Sequence, residues 1–144
     1  MSRGYRFSEA GSGATNNYIQ FPPSDNWEYY KNSSGSVATI TSGYLGVTTF
    51  YTTNMDSVIF KCPITPINKR RQINWTVYAS KAIYIIYEIN GTRTTIEYMS
   101  GTKSYSITLP ANSTSFSIGF ANSWNDSKSG DYRITAVGEQ ILSD

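Results

Sequence analysis

The sequence predicts an all-β protein: an antiparallel β-sandwich of the jelly-roll type, with an immunoglobulin-like sandwich as the alternative strand order. Three observations carry this reading. The 144 residues include 15 Ile, 12 Tyr and 16 Thr, which suit a pleated, half-buried surface, and only 3 Leu. Apolar stretches are short and are broken by Pro, Gly, Asn and Ser at the spacing typical of sandwiches. Asn90-Gly91 stands between two β-rich segments, and both residues of that pair tolerate the positive φ that a tight hairpin needs.

Taken in order, residues 1–16 read as an arm whose Gly and Ser give it little reason to fold alone. It is expected to be pinned by its own sandwich or by a neighbouring subunit. Residues 17–144 read as a single β-sandwich domain, long enough to bury a core without disulfides or metals. A strand is expected at 17–21, stopped by Pro22-Pro23, and residues 27–30 form an aromatic stretch followed by the loop 32–35. A hairpin over 37–41 and 44–52 turns at Ser42-Gly43, and a strand over 57–62 is ended by Pro63 and Pro66.

In residues 72–80, Ile73, Trp75, Val77 and Ala79 alternate with Asn74, Thr76, Tyr78 and Ser80, the period of a half-buried strand with Trp75 in the core. Strands over 82–89 and 92–98 flank Asn90-Gly91. A two-residue loop sets Ile89 opposite Thr92, Glu88 opposite Arg93, Ile85 opposite Ile96 and Ile83 opposite Tyr98. That register places Glu88 and Glu97 on one exposed side. Further strands follow at 104–109, at 115–121 with Phe116, Ile118 and Phe120 inward, and at 132–142.

Composition excludes several chemistries. There is no His, which removes the usual general base and the commonest metal ligand. The single cysteine, Cys62, has no second thiol and reads as a small buried hydrophobe. The ten acids are scattered and no Gly-rich phosphate loop occurs, so no enzyme activity, no catalytic residue and no cofactor are expected. A formal net charge of +2 and one basic run, Lys69-Arg70-Arg71, give no nucleic-acid footprint. No signal peptide and no membrane-length apolar run are visible.

Two clusters carry candidate binding residues. Trp27, Tyr29 and Tyr30, with Glu28, follow the Pro-Pro turn. Asn122, Trp124 and Asn125 lie in a polar loop with Asp126. Aromatic faces meet sugar C–H groups, while amides and carboxylates meet hydroxyls, so both clusters suit a carbohydrate. Asn125, Asp126 and Asp131 are too few oxygens for a calcium site, and no metal is expected.

Three pieces, Ile73-Asn74-Trp75-Thr76-Val77, Ser115-Phe116-Ser117-Ile118-Gly119-Phe120 and Tyr132-Arg133-Ile134, follow one another in a recognisable way. Residues 72–142 thereby resemble the second half of carbohydrate-binding-module-like jelly rolls, which also recur in bacteriophage virions. The resemblance implies a non-enzymatic virion structural protein, such as a capsid decoration, fibre or tail module. Such a protein is made in the host cytoplasm and works by assembly contacts with other virion proteins or copies of itself, as a homo-oligomer or a lattice-bound protein. The alternative it implies is a carbohydrate-binding module or lectin-like receptor-binding domain with surface glycans as partners. Neither reading calls for nucleic acid or a membrane.

Overall fold

The computed structural model describes residues 6–8, 15–17, 26–32, 36–50, 57–122 and 128–142. Among the described residues ten strands follow in chain order: β1 (Arg6–Ser8), β2 (Thr15–Asn17), β3 (Glu28–Lys31), β4 (Val37–Ile40), β5 (Leu45–Phe50), β6 (Ser57–Lys61), β7 (Arg71–Ile89), β8 (Thr92–Leu109), β9 (Phe116–Ala121) and β10 (Lys128–Ile141). Every pairing is antiparallel.

The long strand β7 makes the sandwich. Its first half pairs with β10 and its second half with β9, while β8 accompanies it throughout. The changeover lies between Ala79 and Ile83, where the β7–β8 register shifts. One layer therefore runs β4-β5-β10-β7-β8 and the other β3-β6-β9-β7-β8. The segments expected at 72–80 and 82–89 are one continuous strand, as are those at 92–98 and 104–109. No proline interrupts either, so a register shift and a bend suffice to pass the hairpin from one layer to the other.

Between the layers lies one apolar cluster, in which Leu45, Val58, Phe60, Ile73, Trp75, Val77, Ile85, Phe116, Ile118, Phe120, Tyr132 and Ile134 are fully or almost fully buried. Trp75 sits at its centre against the rings of Tyr87, Tyr105 and Phe116. Cys62 is buried in the same cluster, and burial, together with the nearby Glu139 carboxylate, pushes its thiol up beyond the reactive range.

The Asn90-Gly91 turn forms as the sequence predicts, with φ of 50° and 85°. The Asn90 side-chain oxygen also accepts from the Thr114 N–H at 2.8 Å and the Thr114 hydroxyl at 3.0 Å, which fastens the hairpin tip to the strand entry before Phe116. The near part of the register holds: Ile89 faces Thr92, and Glu88 faces Arg93. Beyond it, Ile96 is an extra residue in β8, so Ile85 faces Glu97 and Ile83 faces Met99 rather than Ile96 and Tyr98. The bulge turns Glu97 to the side opposite Glu88. There it accepts from Tyr105 Oη at 2.8 Å and Lys103 Nζ at 2.6 Å, and ties the two halves of β8 across the open edge of the sandwich. These two donors hold the Glu97 carboxyl below its usual range, Lys103 first.

Within the arm, β1 pairs with β2, and β2 adds to β10 through Asn17–Glu139, Asn16–Gln140 and Thr15–Ile141. The strand expected at 17–21 lies outside the described residues after Asn17.

Candidate functional site

Directly paired residues on neighbouring strands share a face. The pairings of β3, β6, β9, β7 and β8 therefore define the outer face of the second layer as three rows. The first runs Glu28, Lys61, Ser117, Glu88, Arg93. The second runs Tyr30, Ile59, Gly119, Ile86, Thr95. The third runs Ser57, Ala121, Tyr84, Tyr98.

This face is creased along β9. A β-carbon built on Gly119 would lie 2.1 Å from the Val58 carbonyl oxygen and 2.7 Å from Ile59 Cα, so the β6 backbone leans over β9 on the outer side. The floor is correspondingly closed: Ile86 is fully buried although it points away from the core, and Ser57, Ser117 and Ala121 are nearly so. Small residues on β9 permit the approach, and larger residues flank it. Tyr30 on one rim is 50% exposed, and Tyr98 on the other is 46% exposed. The result is a creased face, or trough, whose covered middle combines small residues with Ile59 and Ile86 and is flanked by the half-exposed Tyr30 and Tyr98.

The polar groups of the trough are arranged by the same grid. Tyr30 Oη donates to Glu28 Oε1 at 2.5 Å, and this bond raises the tyrosine's pKa. Across the trough Arg93 Nε and Nη2 both reach Glu88 Oε2 at 2.8 Å. Lys61 lies between these groups and makes no ion pair among the described residues. Tyr98 stacks at a tilt on Tyr84, ring centroids 4.6 Å apart, which fixes the rim. Two carboxylates and two cations cancel, so the trough suits an uncharged ligand that offers C–H faces to rings and hydroxyls to charged groups. Glu28 and Glu88 stand three strand spacings apart, about 14 Å along the sheet. That exceeds the roughly 5–9.5 Å that two-carboxylate glycoside hydrolysis requires.

Of the residues singled out in the sequence, Tyr30 stands on the rim. Tyr29 pairs with Phe60 on the core-facing side of the edge strand β3, 44% exposed. Trp27 does not offer a face to a ligand: it is 5% exposed and belongs to the core cluster. Asn26 takes a positive φ of 72° just before it and brings the indole inward, which a Pro-Pro turn followed by polar residues does not reveal. Asn122, expected in an open loop, is fully buried at the end of β9. Trp124 and Asn125 lie outside the described residues. Sequence reasoning missed Tyr84, Tyr98 and Lys61. Their alternation with inward residues was visible, but their neighbours across the sheet were not.

No family model matches the chain, and no curated protein matches it in sequence. Solved structures do match. The family 29 carbohydrate-binding module CBM29-2 superposes with a TM-score of 0.57 at 11% identity, over 88% of this chain and 91% of that one. In another structure that module is complexed with cellulohexaose. The K3 cleaved adhesin domain of Lys-gingipain from Porphyromonas gingivalis gives 0.65 at 8% identity, over 89% of this chain and 99% of that one. Tailspike protein 4 of bacteriophage CBA120, in its enzymatically active domain, gives 0.53 at 14% identity, over 94% of this chain but 21% of that one. The fold is that of a carbohydrate-binding-module-like jelly-roll β-sandwich. At these identities the likeness concerns the fold alone.

Proposed function

We propose that the chain is a carbohydrate-binding module that holds a neutral glycan in the trough of the second layer. The observation that carries this is the placement of Tyr30 and Tyr98. Two half-exposed rings stand on opposite rims of one face, with a charge-balanced row of Glu28, Lys61, Glu88 and Arg93 beside them. Tyr30 and Tyr98 keep about half of their surface in solvent, and a sugar ring would gain apolar contact from each. The similarity in fold to carbohydrate-binding modules supports the same reading.

The test is calorimetric titration with soluble glucans, mannans and xylans. One of these is expected to bind, and Tyr30→Ala and Tyr98→Ala are each expected to weaken it at least tenfold while the circular dichroism spectrum stays unchanged. Absence of binding to any of them, or full affinity in the double variant, overturns the reading.

A virion role is the second reading, favoured by the similarity to a region of a phage tailspike. The two agree if the module reads surface sugars at the tip of a virion appendage. A homo-oligomer in solution supports that role, and a monomer that recognises no virion component removes it.

A further inference from the structure

The outer face of the first layer carries a second constellation, opposite the trough. Its middle row runs Thr102, Tyr78, Arg133, Gly46, Thr39 across β8, β7, β10, β5 and β4. Arg133 is held from two sides. Its Nε donates to Asp131 Oδ1 at 2.9 Å, and its guanidinium lies 4.2 Å from the centre of the Tyr44 ring. Gly46 makes that stack possible, because a β-carbon there would meet Tyr44 Cε1 at 2.8 Å. The two Nη groups have no partner among the described residues, and the side chain is 42% exposed. Directly across on β7, Tyr78 is 41% exposed. The hydroxyls of Thr39, Thr76, Thr102, Ser104 and Thr135 stand in the same and the adjoining row of this face.

We propose that Arg133, Tyr44 and Tyr78 form a second binding site, for a carboxylate-bearing sugar such as a uronate. A guanidinium fixed at Nε and stacked on a ring presents its two Nη groups as a planar fork, the geometry that matches a carboxylate. Asp131 balances the charge of Arg133, so recognition rests on the planar two-donor fork and not on net charge, and a dianion such as phosphate is disfavoured beside the Asp131 carboxylate. Tyr78 beside the fork gives the sugar ring a face, and the surrounding hydroxyls match its polar edge. The site does not depend on the trough, which lies on the other layer.

The experiment titrates the folded protein with oligogalacturonate, with its methyl ester and with inorganic phosphate, observed by NMR at the Arg133 Nε–H and by calorimetry. Oligogalacturonate is expected to bind and to shift the Arg133 resonance. Arg133→Gln and Arg133→Lys are each expected to weaken it at least tenfold, the lysine because a point charge neither stacks nor forks. The methyl ester is expected to bind at least tenfold more weakly than the free acid. Tyr30→Ala and Tyr98→Ala leave this binding unchanged, and Arg133→Gln leaves neutral-glycan binding unchanged, so this site and the trough fail separately. No binding by uronate oligomers, equal binding of acid and ester, insensitivity to Arg133→Gln, or phosphate binding as tight as the uronate would each overturn the proposal.

Discussion

The missing β-carbon of Gly119 leaves room for the backbone of Val58, whose carbonyl oxygen would otherwise stand 2.1 Å from it. This contact sets the crease of the second layer, and with it the depth of the trough. Gly119→Ala cannot be absorbed by a side-chain rotation, since what it meets is main chain. The expected result is a loss of stability of about 3 kcal/mol, the upper part of the range for overpacking, read from the urea midpoint at unchanged slope. Glycan affinity should fall as well, because β6 must move away from β9. A variant within about 0.5 kcal/mol of the parent, the usual scatter of neutral surface changes, would show that the crease is not held there.

The sequence made the layers legible where alternation was strict and the turn chemistry unambiguous. Ile73, Trp75, Val77 and Ala79 point inward as their period demands, and Asn90-Gly91 turns as its φ angles require. What stayed hidden depends on non-local pairing. The bulge at Ile96 is a second irregularity beyond the change of layer at Ala79–Ile83, and nothing in its local sequence marks the extra residue. Tyr98 and Tyr30 stand far apart in the chain and meet on one face only because β6 and β9 lie between β3 and β7. Trp27 was misleading for the opposite reason: its sequence neighbours are polar, but its spatial neighbours are the core.

Ala136 offers a test of backbone strain. It is exposed and takes φ of 54° inside the irregularity of β10 between Thr135 and Gly138. The left-handed region costs an L-residue roughly 1–2 kcal/mol, while glycine adopts it freely but costs roughly 0.4–1 kcal/mol more entropy in the unfolded chain. Ala136→Gly should therefore stabilise by a few tenths to about 1 kcal/mol. Ala136→Val, β-branched at the same φ, should destabilise by about 1–3 kcal/mol. The two variants moving in the same direction in thermal melts would contradict this account.

Glu97 predicts an acid-sensitive edge. Its carboxyl is held below the usual range by Lys103 and then Tyr105. A group whose folded pKa is depressed contributes its stability above its unfolded pKa, near 4.3 for a glutamate, and loses it as pH falls through the folded value. Stability should thus be level from neutral pH down to about pH 5 and decline below it. Glu97→Gln should be less stable at neutral pH and show a shallower decline. Urea midpoints measured from pH 7 down to pH 3 decide the matter: parallel curves for the two proteins would mean that the Glu97 contacts do not bridge the halves of β8 in solution.

At the far end of the core, Arg71 is 3% exposed, and its Nη1 bonds to Glu139 Oε2 at 2.9 Å while Nη2 donates to the Thr65 carbonyl at 2.6 Å. Its Nε is buried with no partner among the described residues. The pair therefore anchors the loop before β7 at an electrostatic cost, because two charges leave water and one donor stays unmatched. Removing a single partner strands the other, so Arg71→Ala should destabilise by about 3–5 kcal/mol. Replacing both at once, Arg71→Met with Glu139→Leu, should cost far less, because no charge is left buried. The single variant should also expose Cys62 to thiol reagents well before global unfolding, since its burial depends on the same end of the sandwich. A double variant as unstable as the sum of the two single ones would show instead that Arg71 and Glu139 are not coupled and that each holds the loop through its own contacts.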